Sequence, residues 1–178
     1  MKILVLTGSP HQKGSSNMLA EYFVKGAREA GNMVGVIDCA HLPIRPCSGC
    51  LACGYNGPCV QKDEMEKVRP HVLTADMLVF VTPLYYYGMT AQLKVFIDRL
   101  CSINKTLQSK QLRSALISVA TKSDDWTFDS LVFHYKTLAK YLNMTDVGMV
   151  LGKGCSTPDK TAHSQYPAEA YEFGKRMR

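Results

Sequence analysis

Short, continuous apolar runs recur along the chain and are separated by longer segments of mixed polarity. A continuous run, unlike an alternating one, is typical of a strand that is buried on both faces of its sheet. Four of the runs are continuous rather than alternating, and the run that begins at Met33 is weaker and is interrupted by Gly35. The runs predict five strands, at residues 3–6, 33–37, 77–81, 115–119 and 147–151.

The segments between the runs show the spacing of amphipathic helices. Leu19, Phe23 and Ala27 lie on one helical face, and Gly31 follows as a helix stop. Pro70 is expected to kink or shorten the second helix, because proline lacks the N–H that a helix interior needs. The predicted helices cover residues 19–30, 63–73, 91–101, 129–142 and 168–178, and the last is expected to be exposed.

Strands that alternate with helices predict an α/β fold with a parallel sheet, wound on both faces by right-handed crossovers. Five strands and five helices match the doubly wound, flavodoxin-like strand order 2-1-3-4-5. The chain shows no internal repeat, low-complexity stretch or linker, so residues 1–178 are expected to form a single domain. Such sheets bind ligands beyond the carboxyl ends of their strands, here the loops after Thr7, Thr82 and Ala120.

The first of these loops is polar and glycine-rich. It reads Gly-Ser-Pro-His-Gln-Lys-Gly-Ser-Ser-Asn over residues 8–17. It supplies hydroxyls, an amide and backbone N–H groups where the first helix begins, and these are the groups that bind a phosphate. A capped turn closed by Ser15 or Ser16 is the alternative. The position of the loop directly after the first buried strand favours phosphate binding.

The second loop is aromatic and reads Thr-Pro-Leu-Tyr-Tyr-Tyr-Gly-Met-Thr over residues 82–90. Three adjacent tyrosines cannot all point inward, so some ring face is expected to be exposed. A backbone-rich aromatic loop suits a flat heteroaromatic ring, and an aromatic turn packed on a dimer partner is the alternative. The third loop, around Thr121, closes over the same ligand or is a capped turn that opens the fourth helix.

Residues 83–99, which read PLYYYGMTAQLKVFIDR, resemble the signature of the NAD(P)H-dependent FMN reductases and their iron–sulfur flavoprotein relatives. Gly-Ser-Pro-His followed by Gly-Ser-Ser in the first loop is similar to that family's phosphate loop. The resemblance extends over about residues 1–152. It implies bound FMN, reduction by NAD(P)H, transfer to a quinone, flavin or other acceptor, and a homodimer or higher oligomer that helps to wall the flavin.

The resemblance also assigns roles to individual residues of this chain. It implies that the phosphate is bound by Ser9, His11, Ser15, Ser16 and Asn17, and the isoalloxazine ring by Pro83, Leu84, Tyr85, Tyr86, Tyr87 and Gly88. No catalytic side chain is expected, because hydride moves between the nicotinamide and the flavin while the protein supplies position and electrostatics. Thr121 is added to the expected cofactor-binding residues.

Four cysteines fall within thirteen residues after the second predicted strand: Cys47, Cys50, Cys53 and Cys59. Their x2, x2, x5 spacing is similar to that of the iron–sulfur flavoproteins and lets thiolates converge on a 4Fe–4S cluster. The alternatives are a zinc site and reduced thiols in a cysteine-rich insertion near the flavin. The cluster also defines an alternative function, an iron–sulfur flavoprotein that acts as an electron carrier. Cys39, Cys101 and Cys155 stand singly and are expected to be structural.

The amino-acid composition narrows the classes of protein to which the chain can belong. Hydrophobic residues make up 46% and charged residues 20% of the chain, which excludes a disordered or fibrous protein. The net charge of +6 suits anionic ligands. Nucleic acid is not expected as a partner, because the chain contains no run rich in Lys and Arg. The first apolar run is too short for a signal peptide and no segment approaches a membrane span, so we expect a cytoplasmic protein with no membrane partner.

Overall fold

The computed structural model describes all 178 residues and contains one five-stranded sheet. Every strand pairs in parallel with its neighbours, in the order β2-β1-β3-β4-β5. The predicted flavodoxin-like strand order is therefore confirmed, and each predicted run lies within a strand. The strands are β1 (Lys2–Thr7), β2 (Met33–Asp38), β3 (Met77–Pro83), β4 (Arg113–Val119) and β5 (Thr145–Gly152).

The degree to which each strand is buried follows from its place in the sheet. The central strands β1, β3 and β4 are almost completely buried, because helices cover both faces. The edge strands β2 and β5 have a neighbour on one side only, and both are partly exposed. Met33 and Val36 of β2 expose more than half of their surface. The expectation that the four continuous runs are buried on both faces was therefore wrong for the run in β5.

Seven α-helices surround the sheet, two more than the spacing predicted. The third predicted helix ends at Arg99, continues as a 3₁₀ turn over Leu100–Ile103, and is followed by a separate short helix. Pro70 lies inside the second helix, which continues past it. The helices are α1 (Ser15–Glu29), α2 (Met65–Thr74), α3 (Ala91–Arg99), α4 (Asn104–Lys110), α5 (Asp129–Tyr141), α6 (Pro158–Ala162) and α7 (Tyr166–Lys175).

The helices divide into two layers, each with its own core. Side chains of α1 and α7 pack on one face of the sheet, as Phe23 and Phe173 show. The helices α2 to α5 cover the other face, with Val72, Phe96 and Leu131 among the buried residues. All carboxyl ends of the strands meet at one edge of the sheet, because the strands are parallel.

The last helix was expected to be exposed, but in the structure one of its faces is buried. It packs along α1, where the rings of Phe23 and Phe173 lie 5.6 Å apart. Glycines at the crossing point allow the close approach: a Cβ on Gly174 would overlap the carbonyl oxygen of Phe23, and a Cβ on Gly26 would overlap that of Tyr171. The contact is long-range in sequence, so the pattern of either helix alone did not reveal it.

The α1–α7 contact yields a stability prediction. We expect Gly174→Ala to lower the free energy of unfolding by about 1 to 3 kcal/mol, because the added methyl group must push two packed helices apart. Urea denaturation followed by circular dichroism measures the change. Gly35→Ala is the matched control, since its Cβ meets only the flexible Leu4 side chain at 3.4 Å. Equal stability of the two variants would contradict the packing described here.

Candidate functional site

A cavity of about 510 Å³ opens at the carboxyl edge of the sheet. It brings together the three loops that the sequence analysis singled out, and the loop after β5 joins them. No Asp or Glu side chain lines it. The lining residues are Ser9, His11, Gln12, Lys13, Gly14, Ser15, Ser16, Pro83, Leu84, Tyr85, Val119, Ala120, Thr121, Cys155, Ser156 and Pro158.

The N-terminus of α1 forms one end of this cavity and has no side-chain cap. Gly14 occupies the cap position with an extended backbone, and the first turn contains no acidic residue. The backbone N–H groups of Ser15, Ser16 and Asn17 donate no hydrogen bond within the protein. Unpaired N–H groups and the helix dipole make this end electropositive, so it attracts an anion.

The loop before α1 is tightly wound around Ser9. The Ser9 hydroxyl accepts a hydrogen bond from the His11 N–H at 3.2 Å and lies 3.1 Å from the His11 carbonyl oxygen, to which it donates. The Gly14 N–H donates to the same carbonyl at 2.9 Å. A Cβ on Gly14 would lie 2.9 Å from that oxygen, which is too close. Position 14 therefore requires glycine, and the loop forms a shallow cradle of main-chain groups.

Two side chains in the first turn of α1 have free polar atoms. The Ser16 hydroxyl is buried and has no hydrogen-bond partner in the protein. Asn17 donates from Nδ2 to the carbonyl oxygens of His11 and Gln12, at 3.3 Å and 3.0 Å. Asn17 lies beside the cavity rather than on its wall, so its side chain holds the loop. A buried hydroxyl without a partner is uncommon and indicates a missing ligand group.

The second loop folds into a tight turn, and only some of the residues predicted to bind the ring line the cavity. Tyr85 and Gly88 exchange backbone hydrogen bonds of 3.0 Å and 3.1 Å. Tyr86 and Tyr87 between them have φ values of 46° and 61°, in the left-handed region. Such a conformation costs a non-glycine residue about 1 to 3 kcal/mol and often marks a functional site.

The turn points its three tyrosines in different directions. Tyr85 lines the cavity, together with Pro83 and Leu84. Tyr86 is fully exposed to solvent, and Tyr87 stacks on Trp126 with ring centroids 5.0 Å apart. Of the residues predicted to bind the ring, Tyr86, Tyr87 and Gly88 do not line the cavity. The sequence analysis expected an exposed ring face but did not identify which tyrosine would provide it.

Hydrogen bonds between the loops fix the shape of the cavity. The buried Thr90 hydroxyl donates to the Gly8 carbonyl at 2.6 Å, and the Thr90 N–H donates to the Thr82 hydroxyl at 3.0 Å. Thr90 also caps α3, accepting from the Leu93 N–H at 3.3 Å. One side chain thus joins the first loop, the second loop and α3. The Leu84 N–H adds a bond to the Val119 carbonyl at 2.8 Å, which ties the second loop to the third.

The third loop contributes Thr121 to the cavity, as predicted, and the fourth contributes residues that were missed. The N–H of Cys155 donates to the Ala120 carbonyl at 2.8 Å, which brings Cys155, Ser156 and Pro158 to the wall. Cys155 had been interpreted as structural. These residues follow β5, whose carboxyl end lies at the same edge as those of β1, β3 and β4, and that position was the available signal.

The cysteine-containing segment lies between β2 and α2. All seven cysteines are free thiols; Cys47 and Cys50 are exposed, whereas Cys53 and Cys59 are half-buried. No group of three or more His, Cys, Asp or Glu side chains is arranged to hold a metal ion. As arranged, the thiols do not form a ready metal centre, and the four-cysteine ligand set stays a prediction.

A buried ion pair attaches this segment to α3. Arg99 binds Asp63 through two short bonds, Nη1–Oδ2 at 2.6 Å and Nη2–Oδ1 at 3.0 Å. Arg99 also donates to the Arg45 carbonyl at 2.8 Å and contacts the Cys59 sulfur at 3.7 Å. Hydrogen bonds from Arg99 hold the pKa of Asp63 below its usual range. A buried pair of this kind is costly to break and therefore fixes the segment in place.

The comparisons with known proteins agree with this geometry. The model of the NADPH-dependent FMN reductase family matches residues 1–154. The chain belongs to that family. The FMN reductase domain so defined contains all three predicted loops and the four-cysteine run, and leaves out Cys155, Ser156 and Pro158 at the cavity wall.

Two relatives illustrate the range of this family. An iron–sulfur flavoprotein of Archaeoglobus fulgidus is 33% identical over 100 residues, which cover 56% of this chain and 46% of that protein. The match therefore spans about half the length of the iron–sulfur relative. YwqN of Bacillus subtilis, provisionally named an NAD(P)H-dependent FMN-containing oxidoreductase, is 27% identical over 192 residues, covering 99% of this chain and 98% of YwqN.

Solved structures share the fold at low sequence identity. An NAD(P)H:quinone oxidoreductase from Methanothermobacter marburgensis superposes with a TM-score of 0.82 at 18% identity, over 98% of this chain and 94% of its own. An FMN-dependent NADH-azoreductase from Bacillus anthracis, solved with FMN, gives 0.73 at 17% identity, over 99% of each chain. In this chain, no helix has the length and apolar character needed to span a membrane.

Proposed function

We propose that the chain is an FMN-dependent NAD(P)H oxidoreductase and that residues 1–178 form one FMN-binding domain. The observation that carries the proposal is the cavity's division into two ends. One end presents the uncapped N-terminus of α1, and the other presents Pro83, Leu84 and Tyr85. An anion-binding end beside an apolar and aromatic end suits a phosphorylated ligand with a flat ring. Family membership supports FMN as that ligand.

Each end of the cavity has a distinct task in this proposal. The N–H groups of Ser15, Ser16 and Asn17 and the free Ser16 hydroxyl bind the phosphate. His11 lines the same end of the cavity, and Lys13 adds positive charge there. Pro83, Leu84 and Tyr85 cover the ring, and Thr121 approaches it from the third loop. The side chains of Tyr86 and Tyr87 take no direct part, because they lie outside the cavity.

The chain positions its cofactor and does not itself carry a reacting group. When bound, FMN would supply the redox chemistry between a nicotinamide and an acceptor such as a quinone. The backbone bonds between Tyr85 and Gly88 close the turn at the ring end, and the bonds from Thr90 hold that end against the phosphate end. A cytoplasmic location, expected from the sequence, stays a prediction.

The phosphate assignment predicts a selective loss of affinity. We expect Ser16→Ala to weaken FMN binding by about 1.5 to 3 kcal/mol, because a hydrogen bond to a charged oxygen is lost. That corresponds to about a tenfold to hundredfold higher Kd. Fluorescence titration of the FMN-free protein measures it. Ser109→Ala is the control, since its exposed hydroxyl bonds only to the Thr106 carbonyl within α4. Unchanged affinity of the Ser16 variant would contradict the assignment.

Steady-state kinetics test the activity itself. The FMN-loaded protein is expected to oxidise NADH or NADPH in a reaction that depends on an added quinone and stops when FMN is removed. The competing possibility is an electron carrier, whose bound FMN would be reduced by dithionite but by neither nicotinamide. That result would refute the reductase and leave FMN binding intact, so the two parts of the proposal are tested separately.

A second candidate function is that of an iron–sulfur flavoprotein that carries electrons. It is favoured by the x2, x2, x5 spacing of the four cysteines and by the relatives that bear that name. We expect anaerobic reconstitution with iron and sulfide to give about four irons per chain if the four thiolates hold a cluster. Cys50→Ser should then abolish iron uptake and retain FMN. Iron no higher than in a mock reconstitution would eliminate this candidate.

Exposed aromatic and apolar side chains support a homodimer or higher oligomer. Tyr86 is fully exposed, and Trp126, Leu51 and Phe133 each expose more than half of their surface. Large apolar groups left exposed often mark interaction sites. We expect light scattering of the FMN-loaded protein to report a dimer or larger species, and Tyr86→Glu to shift it towards monomer. A wild-type monomer at micromolar concentration with FMN bound argues against the assembly.

A further inference from the structure

A fifth cysteine lies at the four-cysteine segment, contrary to the sequence-based interpretation of Cys101 as structural. Cys101 belongs to the 3₁₀ turn that follows α3. A small cavity of about 30 Å³ is lined by Cys101 together with all four cysteines of the run. Burial and the neighbouring thiols of Cys53 and Cys47 raise the pKa of the Cys101 thiol to about 11. Two segments that are distant in sequence thus place their sulfur atoms together.

The other two cysteines of the run have different neighbours. Cys50 is exposed, and the Ala52 backbone and the Ser48 hydroxyl lower the pKa of its thiol. The Cys59 sulfur contacts the guanidinium of Arg99 at 3.7 Å. The fold therefore gives the four thiols of the run different surroundings. Of the four, Cys53 and Cys47 are the two that raise the pKa of the Cys101 thiol.

Several contacts besides those of the cysteines hold the two segments in this register. Arg99, next but one to Cys101, binds Asp63 and the Arg45 carbonyl. On the far side, the Lys105 N–H donates to the Tyr55 carbonyl at 3.2 Å. The Thr106 hydroxyl and the Asn56 side-chain oxygen lie 2.6 Å apart. Contacts on both sides of Cys101 therefore make its approach to the run a fixed feature of the fold.

We propose that Cys101 is the redox partner of the run and forms a disulfide with Cys53 or Cys47 in protein that carries no cluster. The oxidant is a low-molecular-weight disulfide such as oxidised glutathione. The thiolate of Cys53 or Cys47 attacks one of its sulfur atoms, forms a mixed disulfide and releases one small thiol. The sulfur of Cys101 then displaces the second small thiol. Two protein thiols become one disulfide, and one small disulfide becomes two small thiols.

The cross-link has a defined consequence for the rest of the segment. It joins the connection before α2 to the turn after α3. These are the same two segments that the Arg99–Asp63 ion pair holds together. It also removes a thiol from the four-cysteine set, so oxidised protein would need reduction before it could take up iron. The cross-link itself depends on neither FMN nor a cluster, and its test is independent of the proposed function.

Peptide mapping of the full-length protein tests the proposal. Reduced, iron-free protein is incubated with oxidised glutathione, the remaining thiols are alkylated, and the chain is digested and analysed by mass spectrometry. We expect an intact mass lower by two hydrogen atoms and a linked peptide pair that joins Cys101 to Cys53 or Cys47. Reduction should reverse both changes. An alkylated Cys101 after oxidation, or links confined to residues 47–59, would overturn the proposal.

Variants separate Cys101 from the other thiols. Cys101→Ser is expected to abolish the long-range link and to accumulate a mixed disulfide with glutathione on the run, because the resolving sulfur is missing. Cys39→Ala is the matched control: Cys39 is buried away from the five-cysteine cavity, so this variant should retain the link. Loss of the link in the control as well would show that the effect is not specific to Cys101 and would count against the assignment, as would a link that persists in Cys101→Ser.

Discussion

The carboxyl-edge site depends on a helix that begins without a side-chain cap. A polar side chain at the cap position can satisfy the first N–H groups of a helix. Gly14 at the cap position of α1 has no such side chain, and the N–H groups of Ser15, Ser16 and Asn17 stay unpaired within the chain. The rest of the edge is built around this opening. Glycine at position 14 gives the loop its tight winding, and Thr90 fixes the aromatic loop against it.

The site therefore combines unpaired backbone N–H groups at one end with a turn of unfavourable backbone conformation at the other. Tyr86 and Tyr87 adopt left-handed backbone angles that glycine would accept more readily. The hydrogen bonds between Tyr85 and Gly88, and the stacking of Tyr87 on Trp126, help to hold them there. Local instability in both loops is offset by a sheet whose three central strands are almost completely buried. This division, a rigid sheet with demanding loops, is typical of ligand sites on α/β folds.

The extent to which the sequence predicted this structure varies with the range of the interactions involved. Apolar runs located all five strands, because such a run is a local property of the sequence. The packing of α7 on α1 was missed, since Gly174 and Phe23 meet only after the chain has folded. Cys101 was missed for the same reason: its neighbours are about fifty residues away. Strand position predicted which loops meet, but not that Tyr86 would face solvent while Tyr85 lines the cavity.

The central claim, that the N-terminus of α1 binds the phosphate of FMN, is open to direct measurement. Backbone amide signals can be followed by heteronuclear NMR while FMN is added to the cofactor-free protein. We expect the amide signals of Ser15, Ser16 and Asn17 to shift strongly, and inorganic phosphate alone to reproduce part of the shift. Saturating FMN that perturbs other amides but leaves these three unchanged would contradict it.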